Sequence, residues 1–394
     1  MLRSLTPSFR WYGPGDPVSL NEIVQTGAKG VFTALHDIPY GEAWSRAAIR
    51  QRLGELASAG LSWEAVESVP VSEAIRTRTG DFEQHLENYR QTLTNLGAEG
   101  VSVVIYNFMP VLDWVRTDLA WRLSDGTECL RFDPVRFAAF ELFLLKRPGA
   151  DSDYTPDQLN QAEEFFKSLS VEEIRVFERG LIDVFPGVKM GLSLDELRAM
   201  LARYDGIDAD GLREHYRRFL EAVVPAAEEA GVRLAVHPDD PPFPILGLPR
   251  IVSTQADLEK IVTMVDSPSN GICYCTGSLS ARLDNDLVEI AETLGDRIHA
   301  THLRSVAHEA DGSFYEANHL EGAVNMPAVV QALQKVNARR ADGASLSYRP
   351  DHGHRMLDDL EKPQNPNPGY DLIGRMKGMA EIEGIQQALQ YISK

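Results

Sequence analysis

The sequence predicts an α/β fold, a (β/α)8 TIM barrel with a helical insertion between its fourth and fifth strands. Three observations carry this reading: eight short apolar, β-branched runs recur along the chain, most are followed by a helix-length segment, and ligand-type polar residues gather where the later runs end. A length of 394 residues fits a single barrel domain spanning 1–394, because such a domain holds roughly 250 residues or more and tolerates inserted loops.

The strand-like runs are 9–12, 31–36, 62–68, 102–108, 233–237, 271–276, 299–304 and 345–351. Helical segments cover 18–26, 45–59, 82–96, 212–230, 258–265 and 326–339, and 370–393 reads as a closing helix. One interval breaks the rhythm. About a hundred residues separate the fourth run from the fifth, too many for a structureless connection. Within it, Thr155-Pro156-Asp157-Gln158, Ser170-Val171-Glu172-Glu173 and Ser193-Leu194-Asp195-Glu196 each resemble a helix start. Residues 128–210 are therefore expected to form a helical insertion on one face of the barrel. The Pro/Asn-rich stretch 362–369 reads as a loop beside the site.

Composition narrows the function. Hydrophobic residues at 43% and charged residues at 25% are ordinary for a chain that buries a large core. Lys+Arg 39 against Asp+Glu 58 leaves a net charge of −19, which repels phosphate backbones and anionic lipid surfaces. No nucleic acid and no membrane partner is expected. An anionic small molecule would need a local positive centre, such as a metal or an arginine. Cys129, Cys273 and Cys275 cannot build a disulfide framework. With no apolar run of transmembrane length and no secretory signal in the opening residues, a cytoplasmic location is expected.

In a barrel, function collects at the carboxyl ends of the strands. Here the last four runs end in His237-Pro238-Asp239-Asp240, Cys273-Tyr274-Cys275-Thr276, Thr301-His302-Leu303-Arg304 and Arg349-Pro350-Asp351-His352. Imidazole, thiolate and carboxylate are the main protein ligands of transition metals, and neighbouring strands can aim them at one point. Period-two alternation puts Cys273 and Cys275 on one face, with Cys275 nearer the strand end, and separates His299 from His302. The expected ligands are His237, Cys275, His302 and Asp351, whose two negative charges would neutralise a divalent cation. Each residue alone has a bland explanation: a hydrogen-bonded histidine, an inert buried thiol, an aspartate capping a turn. Four such residues at consecutive strand ends point to a metal site. Asn107, His36 and Glu67 also end strands; each is either a ligand-facing polar group or a satisfied residue of the barrel mouth. No GxGxxG, P-loop, HExxH or zinc-finger spacing is present.

At these residues the chain resembles the mannonate dehydratases of hexuronate catabolism. The likeness is carried by Arg10-Trp11-Tyr12-Gly13-Pro14, Val66-Glu67-Ser68-Val69-Pro70 and the stretch Tyr106 to Trp114. It continues through Leu145 to Ala150, His237 to Pro242, Cys275-Thr276-Gly277-Ser278, Thr301 to Ser305 and Arg349-Pro350-Asp351-His352-Gly353-His354. One departure is Ser280, where the family pattern has glycine. The resemblance implies a (β/α)8 barrel, Mn2+ or Fe2+ as cofactor, and dehydration of D-mannonate to 2-dehydro-3-deoxy-D-gluconate. It further implies that His237, Cys275, His302 and Asp351 hold the ion and that His352 and Tyr370 act in proton transfer. Ligand type alone would equally admit Zn2+. An aldonate is the expected partner and a homodimer the expected assembly.

Dehydration needs a base for the C2 proton and an acid for the departing C3 hydroxyl. His352 follows a ligand directly and suits the first role; Tyr370 could donate to the leaving oxygen or orient His352, and is otherwise an aromatic plug at the loop base. Arg304 shares a strand face with His302. It is either a fork for the substrate carboxylate or a member of a structural ion pair. A metal-dependent sugar isomerase and a non-catalytic acid-sugar sensor are the competing readings; the thiolate ligand counts against the first, and His352 with Tyr370 against the second.

Overall fold

The computed structural model describes residues 2–182, 192–340 and 343–393. Its strands are β1 (Thr6–Arg10), β2 (Gly30–Thr33), β3 (Ser62–Glu67), β4 (Val103–Tyr106), β5 (Asp118–Arg122), β6 (Glu128–Phe132), β7 (Arg233–Val236), β8 (Asn270–Cys275), β9 (Ile298–Leu303), β10 (Ser305–His308), β11 (Phe314–Ala317) and β12 (Ser347–Pro350). Eight of them close a parallel barrel in the order β1-β12-β9-β8-β7-β4-β3-β2. These eight correspond to the runs expected from the sequence. Strands β2, β4, β8, β9 and β12 are buried at every position, as parallel strands covered on both faces must be.

Alternation sorts their side chains. Phe32, Ala65, Val103, Ile105, Ala235, Cys273 and Ala300, drawn from six consecutive barrel strands, form a small cluster of their own, the plug of the interior. Their neighbours Val31, Val66, Val104, Leu234 and Ile272 belong to the larger core between strands and helices. The plug is a floor on which the polar strand ends stand.

The interval between β4 and β7 departs from a purely helical insertion. Residue 128 begins β6, which pairs antiparallel with β5, while β10 and β11 form a second hairpin; together they make a four-stranded sheet ordered β10-β11-β6-β5. Burial explains the departure: Leu130 and Phe132 of β6 are buried, and Phe132 stacks on Phe314 of β11 with centroids 5.4 Å apart. Apolar area is thereby covered by a partner remote in sequence. Helices follow from Pro134, with Pro156–Ser168 and Leu194–Leu201 starting at the capping boxes of Thr155 and Ser193. Ser170 and Glu173 bond each other's backbone N–H groups at the start of helix Val171–Ile182. Residues 183–191 of the expected insertion lie outside the described residues.

One close approach fixes the loop after β12. A Cβ on Gly353 would lie 2.5 Å from backbone atoms of Gly374 and Arg375, so only glycine lets this loop rest on the first turn of helix Leu372–Ile392. That contact sets the height of Asp351 and His352 above the barrel.

Candidate active site

The strand ends converge as alternation requires. Cys275 is in register with His302, and His302 with Arg349, so β8, β9 and β12 present neighbouring side chains at the mouth. Ligand atoms of Cys275, His302 and Asp351 lie within 4.8 Å of one another, as do those of His237, Cys273 and His302. The expected quartet is thus three residues in one group, with His237 joined to it through the shared His302.

The surroundings prepare these atoms for a cation. His237 Nδ1 is 2.7 Å from the carbonyl of Pro238; a carbonyl only accepts, so the proton sits on Nδ1 and Nε2 keeps its lone pair. The contacts of His302 are long, 3.3 Å to Cys273 Sγ and 3.5 Å to Glu67 Oε2 from Nε2, and 3.4 Å to Arg349 Nη2 from Nδ1. Ser278 Oγ lies 3.1 Å from the sulfur of Cys275, which is 3.6 Å from Asp351 Oδ2. Cys273, two residues lower, belongs to the apolar floor, and burial, with the nearby Glu67 charge, pushes its thiol well above the usual range. Cys275, at the strand end, is the thiol that stands beside Asp351. Two imidazoles, a thiol and a carboxylate form the mixed N, S and O set that suits a divalent transition metal.

Asp351 is charged in advance. Burial pushes its carboxyl up, but Arg349, His352 and Arg304 more than offset this and hold it well below the usual range. Arg349 Nη1 donates to Oδ1 at 2.5 Å, Arg304 Nε to Oδ2 at 2.6 Å, and the Tyr370 hydroxyl to Oδ1 at 3.1 Å. Glu67 is balanced similarly, accepting two bonds from Arg349 at 2.9 and 2.7 Å.

His352 and Tyr370 flank this centre. Their rings meet edge to face, with centroids 5.0 Å apart and an angle of 89°, and Trp114 packs on His352 from another side at 5.8 Å. Burial and the Asp351 charge push the Tyr370 phenol well above its ordinary pKa, which keeps its proton in place at neutral pH. Both rings line an inner cavity of about 60 Å³. It shares Glu67, Asn107, Asp113, Trp114 and Tyr370 with an outer cavity of about 380 Å³, a volume suited to a small polar ligand.

Asn107 and His36 take up positions on this path. Asn107 lines both cavities, and His36 lines the outer one. Partial desolvation and the charges of Arg10 and Arg52 lower the His36 pKa, although the side chain keeps access to solvent, and Arg10 Nη2 lies 3.2 Å from its Nε2. The insertion reaches the same cavity through Met200. Beside it, Tyr204 donates to Glu73, which also pairs with Arg76.

Of the two roles expected for Arg304, the structure displays the ion pair: the side chain is the hub of a buried ion network at the wall of the inner cavity. Nε donates to Asp351, Nη1 to both oxygens of Glu316 at 2.7 and 2.8 Å, and Nη2 to Asp240 at 2.5 Å and Ser278 at 3.1 Å. All three nitrogens of the guanidinium are engaged. Gly277 makes room for it: a Cβ there would lie 2.4 Å from Arg304 Cγ. Sequence reasoning missed Asp240, Glu316, Arg116, Glu73 and Arg76. Asp240 could have been found beside His237; Glu316 and Arg116 come from segments without a strand-end signal.

Comparison with known proteins identifies the family. Residues 5–394 match the family model of D-mannonate dehydratase (UxuA). The chain is 50% identical over 387 residues to the mannonate dehydratase of Marinomonas sp. (strain MWYL1), covering 97% of this chain and 98% of that one. It is 48% identical over 389 residues to that of Chromohalobacter salexigens, covering 98% and 99%. The solved mannonate dehydratase from Streptococcus suis serotype 2 superposes with a TM-score of 0.78 at 33% identity, covering 99% of this chain and 95% of that one. A D-allulose 3-epimerase from Methylomonas sp., with a TM-score of 0.51 at 12% identity, shares the barrel alone. With a family match over nearly its whole length, and the site residues gathered at one barrel mouth, this chain belongs to the D-mannonate dehydratase family.

Proposed function

We propose that this protein dehydrates D-mannonate to 2-dehydro-3-deoxy-D-gluconate and water, with Mn2+ or Fe2+ held by His237, Cys275, His302 and Asp351. Family membership supports the dehydratase activity. The observation that carries the finer reading is the Cys275, His302 and Asp351 group, whose Asp351 lines one cavity with His237, His352 and Tyr370. A divalent cation held there would supply Lewis acidity for the negative charge that develops at the substrate carboxylate.

The chain's own residues do the rest. His352 takes the C2 proton, and Tyr370, kept protonated by its burial, delivers a proton to the oxygen leaving C3. One proton is accepted and one is given, so the substrate loses exactly one water. Trp114 and Tyr370 pack around the imidazole and exclude bulk solvent from it. Asn107 and Asp113, at the junction of the two cavities, offer polar contacts to the sugar-acid hydroxyls.

The test is incubation of the chain with Mn2+ and D-mannonate, followed by an assay for a 2-keto acid. Formation of one 2-keto acid per mannonate consumed supports the reading. Unchanged mannonate, or an isomer without loss of water, contradicts it.

A further inference from the structure

Glu316 belongs to β11, outside the barrel, yet its side chain is only 2% exposed and reaches the back of the active site. Its Oε1 lies 3.1 Å from His352 Nδ1. Arg304 Nη1 donates to both carboxylate oxygens at 2.7 and 2.8 Å, and Arg116 Nη2 donates to Oε1 at 2.8 Å. These two arginines are buried, and with His352 they hold the Glu316 carboxyl below the usual range despite its burial. An ionised carboxylate only accepts hydrogen bonds. Nδ1 of His352 must therefore carry a proton, so that in the neutral ring the lone pair is on Nε2.

A second bond ties the same strand to the same loop. The backbone carbonyl of Glu316 accepts from His354 Nε2 at 2.8 Å. The four-stranded sheet therefore grips the loop after β12 at two alternate residues, one through a side chain and one through the main chain. Between them lies Gly353, the residue that seats this loop on the closing helix.

We propose that Glu316 is a positioning residue for the dehydration, fixing the tautomer and aim of His352 so that its bare Nε2 faces the substrate cavity. This rests on the reading of His352 as the proton acceptor. The arrangement parallels the way a buried carboxylate orients a catalytic imidazole in hydrolase triads. Glu316 itself lines neither cavity; it bonds His352 and Arg304, which line the inner one, and of these only His352 is placed to take a proton from substrate.

A double-mutant cycle of Glu316→Gln and His352→Asn, with metal content measured for each variant, tests this. E316Q should lower kcat by roughly 10²-fold or more, with KM and Mn2+ per chain within about threefold of the parent. In the H352N background the same change should cost less than about threefold, because its target is gone. A full E316Q penalty retained in H352N would overturn the proposal while leaving His352 in place. H352N turning over at near the parent rate would instead overturn the reading of His352 itself. Because E316Q strands two buried arginines and could fail to fold, the unmutated chain provides a second measurement. Nitrogen-15 histidine spectra of the Mg2+-loaded protein at pH 8, with His352 assigned by comparison with H352N, should show a proton on Nδ1 and none on Nε2. A ring protonated on Nε2 and bare at Nδ1 would overturn the proposal.

Discussion

The Tyr370 hydroxyl donates to Oδ1 of Asp351 at 3.1 Å, which links the proposed acid to a proposed metal ligand. This bond allows Tyr370 two roles, proton donor or support for the ligand, and one variant separates them. Tyr370→Phe keeps the ring contact with His352 and removes only the hydroxyl. We expect kcat to fall by roughly 10²-fold or more even at saturating Mn2+, the size of a lost general acid. Recovery of activity by raising Mn2+ would confine Tyr370 to holding Asp351.

A methyl group at Gly277 should be costly. The added Cβ would lie 2.4 Å from Arg304 Cγ, and Arg304 is held by Asp240, Glu316 and Asp351, so it cannot swing aside without leaving buried charges unpaired. Gly277→Ala is expected to destabilise the fold by about 2 kcal/mol or more, measured as a lower urea midpoint. A midpoint equal to that of the parent would mean that the network adapts.

The wall of the outer cavity should govern binding more than turnover. Glu73 accepts from Arg76 and from Tyr204, which precedes the helix leading into β7, and so ties the insertion to the cavity wall. Glu73→Gln is expected to raise KM roughly tenfold with kcat within about threefold, the pattern of lost uniform binding. Steady-state kinetics with D-mannonate would show it; an equal loss in kcat would place Glu73 in the chemistry instead.

Two buried histidines predict an acid-sensitive fold. Burial lowers the His299 pKa to about 3, and burial with the nearby His354 lowers that of His319 to about 4. Both side chains are inaccessible to solvent. Their folded pKa values are depressed, so the unfolded chain binds more protons, and the stability they contribute is full above about pH 6.5 and drains away as pH falls toward 4. Between pH 7.5 and 5.5 the two together should cost about 3 kcal/mol, read from urea unfolding at each pH. His319→Gln should shallow that slope, and an unchanged slope would remove His319 from the account.

What was legible in the sequence follows from the range of the physics involved. The barrel strands stood out because each is a local run of apolar residues, and His237, Cys275, His302 and Asp351 stood out because ligand types closed four such runs. Strand β5 has no buried position, so it carries no alternation to read, and its pairing with β6 joins a sheet completed by β10 and β11 from late in the chain. The fate of Arg304 was equally hidden. Its partners Asp240, Glu316 and Asp351 come from three separate segments, and only the fold reveals that its donors are already committed. The departure at Ser280 has a simple local answer, since its hydroxyl bonds back to the carbonyl of Gly277 at 3.2 Å.

The most direct measurement is anomalous diffraction at the manganese edge from a crystal grown with Mn2+. We predict one strong peak bonded by nitrogens of His237 and His302, an Asp351 oxygen and the Cys275 sulfur, the last within roughly 2.5 Å, close to typical metal–thiolate bond lengths. A peak elsewhere, or a Cys275 sulfur turned away from the ion, would contradict the proposed centre.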